Sequence, residues 1–169
     1  MVSREELPNF LAYNMKINIA REIIPRGTAS SLKLFKNKIK NDFIVTNCDV
    51  LFNVNYENLI KFHKKSKNFI TIVGAKKRIK IPYGVCKIKS KNILKKIDEK
   101  PDFEFIVSTG LYVVNDKVMN FIPLSKEYNF DKLISDAVNK NLKISIFEID
   151  DRSWIDVGDW AGFKKNINF

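Results

Sequence analysis

Residues 43–49, FIVTNCD, join a short apolar run to a polar end. The run Phe43–Val45 contains no polar side chain, which favours a strand buried on both faces within a parallel sheet. Asn47 and Asp49 follow at the carboxyl end of this strand, where open α/β sheets bind their ligands. The stretch therefore predicts an α/β fold with a binding site that includes Asp49.

The chain on either side alternates between strand-like and helix-like stretches. We predict strands at 16–20, 69–75, 85–89, 93–97, 105–114 and 143–149, and helices at 29–37, 55–65, 116–121, 131–139 and from about 159. This order indicates a Rossmann-like mixed sheet flanked by helices, with an antiparallel excursion in the middle. Residues 1–169 are expected to form one domain, because no linker or repeat interrupts them. No strand–loop–helix unit precedes the first strand, so the sheet is expected to be incomplete at the amino terminus.

The composition argues against several classes of protein. The formal net charge is +11, but the lysines are scattered, so we expect anionic small substrates rather than nucleic acid. No apolar run approaches the roughly 18 residues that span a bilayer, and no signal peptide is apparent, so we expect a cytoplasmic protein without a membrane partner. The two cysteines lack metal-site spacing, and the single histidine, His63, is expected at the edge of the core.

Two aspartates lie in apolar surroundings. Asp49 follows the strand described above, and Asp156 lies between Trp154–Ile155 and Val157–Gly158. A carboxylate in such a setting is costly unless it is paired or binds a cation. Each aspartate could instead cap a turn or a helix. Spacing alone does not show that the two meet in space.

Three turns carry residue types suited to phosphates or sugars. Gly27–Thr28 could present backbone N–H groups to an anion or a base, or could be a tight turn with Thr28 as N-cap. Gly84 could allow a ligand close to the backbone, or could simply be a turn. Glu99–Lys100 could bind hydroxyls and a phosphate, or could be an exposed pair before a proline.

The order of the motifs is more informative than any one of them. Along the chain they are Arg26-Gly27-Thr28-Ala29, Asn47-Cys48-Asp49-Val50, Tyr83-Gly84-Val85, Glu99-Lys100-Pro101, Ser108-Thr109-Gly110-Leu111-Tyr112 and Trp154-Ile155-Asp156-Val157-Gly158. From about residue 17 to the end, this succession resembles the sugar-phosphate nucleotidyltransferases. That family includes glucose-1-phosphate thymidylyltransferases and mannose-1-phosphate guanylyltransferases.

The resemblance implies a reaction between a nucleoside triphosphate and a sugar 1-phosphate, assisted by Mg²⁺, that releases pyrophosphate. It assigns Asp49 and Asp156 to metal binding and catalysis. It also assigns Lys100 to catalysis, facing the sugar phosphate. Two carboxylates suit Mg²⁺, which shares its ligand shell with phosphate oxygens and water.

The resemblance also implies a set of substrate-binding residues. Gly27 and Thr28 match the turn that contacts the base. Gly84 and Glu99 match the residues that meet the sugar, and Thr109–Gly110 line the same pocket. The segments 81–85 and 153–158 look most like enzymes that make GDP-sugars, which favours GTP.

Two departures from the family pattern bear on activity. Ser108 stands where the family usually has asparagine, before Thr-Gly. The family's glycine-rich triphosphate loop has no counterpart, so we expect an amino-terminally truncated transferase with little or no activity. The alternatives are a sugar-phosphate-binding remnant without catalysis and, less favoured, a basic nucleic-acid-binding domain. Assembly into a homo-oligomer is left open.

Overall fold

The computed structural model describes residues 17–123 and 127–158. Their strands are β1 (Phe43–Thr46), β2 (Val50–Phe52), β3 (Ile70–Lys80), β4 (Val85–Ile88), β5 (Leu94–Asp98), β6 (Asp102–Val114), β7 (Ile144–Ile149) and β8 (Trp154–Asp156). Their α-helices are α1 (Tyr56–Ser66), α2 (Val118–Phe121) and α3 (Phe130–Asn139). Within these ranges, no helix is both long enough and apolar enough to cross a membrane.

A four-stranded mixed sheet with the order β1-β6-β3-β7 forms the centre of the fold. β6 runs antiparallel to both of its neighbours, whereas β3 and β7 are parallel. The parallel pair requires a long crossover, and this connection includes α3. β2 pairs with β8, and β4 with β5, in two separate two-stranded sheets. The predicted α/β class with a mixed sheet and an antiparallel excursion is confirmed.

The surroundings of β1 differ from the expectation. The sequence predicts a strand buried on both faces within a parallel sheet, but β1 is antiparallel to β6 and its residues alternate between half-buried and exposed. Ile44 is 37% exposed although it is apolar. Because the exposed residue of this run is apolar, the run lacks the apolar–polar alternation that is typical of a half-buried strand.

Two elements near the start of the described chain were also predicted wrongly. Residues 17–20 form no strand, and these side chains are exposed. The helix predicted at 29–37 is a 3₁₀-helix over Ser30–Phe35 whose N-cap makes no side-chain hydrogen bond. Consecutive serines at its start favour a short 3₁₀ segment over a full α-helix. Lys16 and the helix expected from about residue 159 lie outside the described residues.

Apolar side chains cover both faces of the central sheet, because neighbouring residues of β6 point to opposite sides. On one side Val114 and Ile70 pack with Val118 of α2 and Leu133 of α3. On the other side the buried cluster consists of Leu59 from α1, Val73, Leu111 and Val113. The core therefore joins the helices to the strands β3 and β6, and β6 also lines the site described below.

A buried polar group around His63 lies between α1 and the sheet. His63 is 1% exposed, and its Nδ1 lies 2.8 Å from Thr71 Oγ1. Asn68 Nδ2 donates to the same oxygen, so the Thr71 hydroxyl hydrogen is available to Nδ1. This leaves the ring proton on Nε2, which lies 3.6 Å from Asp42 Oδ2. Burial lowers the pKa of His63, and the Asp42 carboxylate only partly opposes it.

The lowered pKa of His63 makes the stability dependent on pH. The unfolded chain binds the histidine proton near its ordinary pKa of about 6.5, whereas the folded protein binds it only at lower pH. We expect the free energy of unfolding to decrease by up to about 1.4 kcal/mol for each pH unit below that value. Urea unfolding of the wild type and His63→Gln at about pH 7.5 and about pH 5.5 measures this loss. An equal loss in both proteins would contradict the assignment to His63.

Candidate functional site

Asp49 and Asp156 are far apart in the chain but adjacent in the fold. β2 is antiparallel to β8 with Val50 opposite Asp156, and Asp49 comes directly before β2. The Val157 N–H donates to the Asp49 carbonyl at 2.9 Å. A Cβ on Gly158 would lie 3.3 Å from Asp49 Oδ2 and 3.1 Å from Asp156 Oδ1. Both carboxylates therefore face one small region of space.

The pair has the donor chemistry of a site for a hard divalent cation. Two neighbouring carboxylates repel each other when both are ionised, and a cation between them removes that cost. Within the described ranges, no group of three or more histidine, cysteine or acidic side chains is arranged so that it could hold a metal ion. Other ligands would therefore be water or substrate oxygens, which is the usual arrangement for Mg²⁺ beside phosphates.

A pocket of about 340 Å³ surrounds the two aspartates. Its lining residues are Asn47, Asp49, Val50, Ser108, Thr109, Gly110, Tyr112, Trp154 and Asp156. Sequence reasoning assigned no site role to Asn47, Tyr112 or Trp154. The signal was present for Trp154, because it precedes Asp156 by two positions and lies on the same face of β8. Asn47 and Asp49 lie outside the strands, where a spacing of two residues does not determine the face.

Gly110 bends β6 at the edge of this pocket. Its φ is +81°, a value that favours glycine, and its carbonyl accepts the Asn47 N–H at 3.1 Å. A Cβ on Gly110 would lie 2.7 Å from Asn47 Nδ2. The glycine therefore allows the chain that leads to Asp49 to pack directly against β6.

Thr109 adjoins the pocket, but its hydroxyl is used within the fold. Thr109 is 2% exposed, and its Oγ1 donates to the Val73 carbonyl at 2.9 Å. Val73 lies in the β3–β6 register shift between Ile72 and Gly74, where the strand ladder is interrupted. Thr109 thus replaces a missing ladder hydrogen bond. The hydrogen of this hydroxyl is therefore not available to a ligand in the pocket.

Gly84, Glu99 and Lys100 form a second group at the base of the β4–β5 hairpin. A Cβ on Gly84 would lie 2.9 Å from Glu99 Oε2, so these two residues are neighbours. Lys100 follows with a positive φ of 45° in the turn towards β6. The structure thus brings Gly84 and Glu99 together but places none of the three in the pocket lining.

Gly27 and Thr28 form a third group, next to the start of α3. The Thr28 N–H donates to Asn129 Oδ1 at 3.0 Å, and Thr28 Oγ1 accepts the Phe130 N–H at 3.1 Å. The N-cap role that the sequence left open therefore applies to α3, not to the segment after Thr28. Gly27 has a φ of +96° and packs against the Tyr128 backbone. Neither Gly27 nor Thr28 is part of the pocket lining.

The charge of the pocket restricts its ligands. Its described lining contains two carboxylates and no lysine or arginine. A phosphate would be repelled by Asp49 and Asp156 unless a cation lay between them. The pocket is therefore suited to a metal–phosphate pair rather than to a free anion.

The comparisons with known proteins agree with the motif order. A family model described as nucleotidyl transferase matches residues 3–169. The chain belongs to this family. The family resemblance inferred from the motifs is therefore confirmed.

Curated members of the family include similar proteins from fungi. A mannose-1-phosphate guanyltransferase of Aspergillus oryzae is 34% identical over 160 residues, which cover 89% of this chain and 43% of that protein. The mannose-1-phosphate guanyltransferase of Saccharomyces cerevisiae is 31% identical over 159 residues with the same coverage. The chain spans less than half the length of these relatives.

Several solved structures share the fold. HddC from Yersinia pseudotuberculosis has a TM-score of 0.66 at 23% identity, with 95% of this chain and 72% of that chain covered. HddC complexed with GMP-PN has a TM-score of 0.63 at 21% identity, with the same coverage. A putative glucose-1-phosphate thymidylyltransferase from Bacillus anthracis, in complex with sucrose, has a TM-score of 0.64 at 20% identity. The match covers 96% of this chain and 71% of that chain. At these identities the likeness shows the fold alone.

The cap on α3 predicts an effect of Thr28 on stability. Thr28→Val keeps the shape of the side chain but removes the oxygen that accepts the Phe130 N–H, so we expect a loss of about 1 kcal/mol. Thr28→Ser retains the hydroxyl and serves as the matched control. Urea unfolding measures both variants. Equal stability of the valine and serine variants would argue against the cap.

Replacement of Gly110 by alanine is expected to destabilise the fold more than replacement of Gly84 by alanine. Gly110→Ala adds strain at a positive φ, about 1–2 kcal/mol, and also pushes against Asn47. At Gly84 the nearest atom is the carboxylate at the end of the Glu99 side chain, which can rotate away. Thermal unfolding of Gly110→Ala and Gly84→Ala compares them. A larger loss in Gly84→Ala would refute this ranking.

Proposed function

We propose that this chain forms the metal and sugar-phosphate side of a nucleotidyltransferase site. The reaction would couple a nucleoside triphosphate, with GTP favoured, to a sugar 1-phosphate and release pyrophosphate. One observation carries the proposal: Asp49 and Asp156 converge in a pocket whose described lining contains no cationic side chain. Such a pocket is suited to a phosphate only together with a divalent cation.

In this reaction one phosphate oxygen of the sugar 1-phosphate forms a bond to the α-phosphorus of the triphosphate. The bond from that phosphorus to the oxygen bridging to the β-phosphate breaks, and pyrophosphate leaves with the electron pair. Mg²⁺ would offset the negative charge shared by the two substrates. Asp49 and Asp156 would hold the ion, and the hydrogen bond from Val157 to the Asp49 carbonyl keeps their strands in register. Catalysis would depend mainly on positioning and electrostatics.

The hairpin group supports the proposed sugar-binding roles. Glu99 and Gly84 adjoin each other, so a sugar could meet the Gly84 backbone while Glu99 accepts its hydroxyls. Lys100 would face the sugar phosphate as a catalytic residue. Gly27 and Thr28 are proposed to contact the nucleotide base. Fewer atoms of Thr28 are available for this contact, because its hydroxyl oxygen accepts the Phe130 N–H at the start of α3. Contact with a base could use the hydrogen of this hydroxyl or other atoms of the turn.

Mannose 1-phosphate and GTP are the first substrates to test. The curated relatives at 34% and 31% identity are named mannose-1-phosphate guanyltransferases. The HddC structure with GMP-PN is a further guanine-nucleotide complex in the same fold. These names support the proposed base and sugar class, and the motifs at 81–85 and 153–158 favour the same class.

Binding is expected to exceed turnover in this chain. The described lining of the pocket offers no lysine or arginine to stabilise the charge that develops on pyrophosphate. In a transferase such a group can contribute orders of magnitude to the rate. Sugar-phosphate binding without transfer is the second candidate, and the same lack of cationic groups favours it.

Removal of either carboxylate is expected to weaken metal-dependent binding. Calorimetry with mannose 1-phosphate should show binding to the wild type only when Mg²⁺ is present. Asp49→Asn and Asp156→Asn should each weaken it by about tenfold or more, because only one ionised carboxylate remains for the cation. Asp131→Asn changes an exposed aspartate on α3 and serves as the control.

The outcomes separate the two candidate functions. Release of pyrophosphate from GTP in the presence of mannose 1-phosphate, lost in Asp49→Asn, would establish transfer. Metal-dependent binding without release would favour the non-catalytic candidate. Binding that is independent of Mg²⁺, or unchanged in both aspartate variants, would exclude the metal site.

A further inference from the structure

The β4–β5 hairpin extends from the fold as an exposed arm. Among the described strands, β4 and β5 pair only with each other. Every residue from 86 to 97 is exposed. Four of these residues are large aliphatic ones, each more than half exposed: Ile88, Ile93, Leu94 and Ile97. Contiguous exposed apolar side chains are typical of a surface that binds a partner.

The strand register places most of the apolar side chains on one face of the arm. Cys86 lies opposite Ile97, and Ile88 lies opposite Leu94. Residues directly opposite each other point to the same face. Because Cys86 and Ile88 are two positions apart on β4, the two pairs share that face. The extra residue in the ladder is Lys95 of β5.

The arm is also strongly basic. Residues 85–98 contain five lysines and one acidic side chain, so their formal charge is +4. The carboxylate of Asp98 forms ion pairs with both Lys87 and Lys96, on the face opposite the aliphatic pairs. The other three lysines form no ion pair with any side chain that the structure describes: Lys89, Lys91 and Lys95.

The tip of the arm is a tight turn that contains no glycine. Lys91 and Asn92 have positive φ angles of 60° and 59°, a conformation that favours glycine. The Lys89 N–H donates to the Ile93 carbonyl at 2.8 Å and closes the turn. A charged side chain therefore stands at the end of the arm, and the aliphatic residues follow directly after the turn.

The combination of charge and exposed aliphatic surface restricts the partner. Lysines often protect free strand edges from pairing, but that role does not account for the aliphatic face. A second copy of this chain, which has a formal net charge of +11, would bring like charges together. Proteins that bind single-stranded nucleic acid stack bases on aromatic side chains, and residues 85–98 contain none. An anionic bilayer surface offers both negative headgroups and acyl chains.

We propose that the β4–β5 arm binds the surface of a membrane that contains anionic phospholipids. Ile88 and Leu94 enter the boundary between headgroups and acyl chains, and the unpaired lysines contact lipid phosphates. The expectation of no membrane partner was based on the lack of a spanning segment, which does not bear on surface binding. The arm begins next to Gly84, whose Cβ would lie 3.0 Å from Ile97 Cδ1. Binding would therefore hold the candidate site near the membrane surface.

Co-sedimentation of the full chain with vesicles tests the role of charge. The wild type should bind vesicles of equimolar phosphatidylcholine and phosphatidylglycerol, but not vesicles of phosphatidylcholine alone. Replacement of the three unpaired lysines by glutamine should weaken binding about 100-fold, since each lysine near an anionic surface contributes about fivefold. The matched control replaces three lysines in and after α1 by glutamine and should bind almost as the wild type does: Lys64, Lys65 and Lys67.

Two further measurements test the role of the aliphatic face. The double variant Ile88→Ser and Leu94→Ser keeps every charge and should bind at least about tenfold more weakly, because less apolar surface enters the bilayer. The second measurement leaves these residues unchanged. In Cys48→Ser, a polarity-sensitive fluorophore attached to Cys86 reports on the aliphatic face, and its emission should shift to shorter wavelength with the anionic vesicles.

Several outcomes would overturn the proposal. They are no binding to anionic vesicles, an equal loss in the two lysine variants, unchanged binding of the serine variant, and no emission shift when the labelled protein is bound. Dimerisation without lipid that the serine variant abolishes would assign the aliphatic face to a second copy. Equally tight binding to poly-glutamate, with the same dependence on Ile88 and Leu94, would assign it to acidic proteins.

Discussion

The convergence of the Asp49 and Asp156 carboxylates beside Gly158 is the constraint on which the candidate site depends. A cation bound between two ionised carboxylates would offset their like charges. The fold holds them there through the β2–β8 ladder and the hydrogen bond from Val157 to the Asp49 carbonyl. Gly158 contributes by leaving open the space that both carboxylates face. The backbone thus sets the position of the charges before any ligand arrives.

The same site depends on an irregularity shared by β3 and β6. The pairing of β3 with β6 shifts register at Val73, and the Thr109 hydroxyl donates a hydrogen bond to the Val73 carbonyl. One residue later Gly110 turns the chain, which allows Asn47 to pack against it. Bulges of this kind redirect side chains in many sheets. Here the bend brings Ser108, the Asn47 side chain and the aspartate pair to the same pocket.

Much of the fold could be predicted from local sequence. The apolar stripe of α1 and the long apolar segment that became β6 are continuous signals, and both elements lie close to where the pattern placed them. Residues 17–20 show the limit of this approach. Their alternating pattern suits a strand, but a strand also needs a neighbour, and these side chains remain exposed. Local patterns do not contain information about pairing partners.

The candidate site was less accessible to sequence reasoning than the fold. The strand-end pattern indicated Asp49, but its partnership with Asp156 was identified only through the family resemblance, because their meeting depends on a pairing between distant segments. The resemblance did not indicate that the hydroxyl of Thr109 would be used inside the sheet. It also did not reveal Asn47, which lies just beyond the end of β1 and reaches the pocket through its contact with Gly110.

Thr28 illustrates why a motif residue can have a structural role as well as a proposed functional one. Its hydroxyl accepts the first N–H of α3, while its own N–H binds Asn129, the residue at the N-cap of that helix. These two hydrogen bonds fix the turn at Gly27 against α3 across about a hundred residues of sequence. A nucleotide base at this turn would meet a backbone that is already rigid. The conformational entropy of the turn would then be lost during folding and not during binding. The helix cap and a binding role are therefore compatible functions of Thr28.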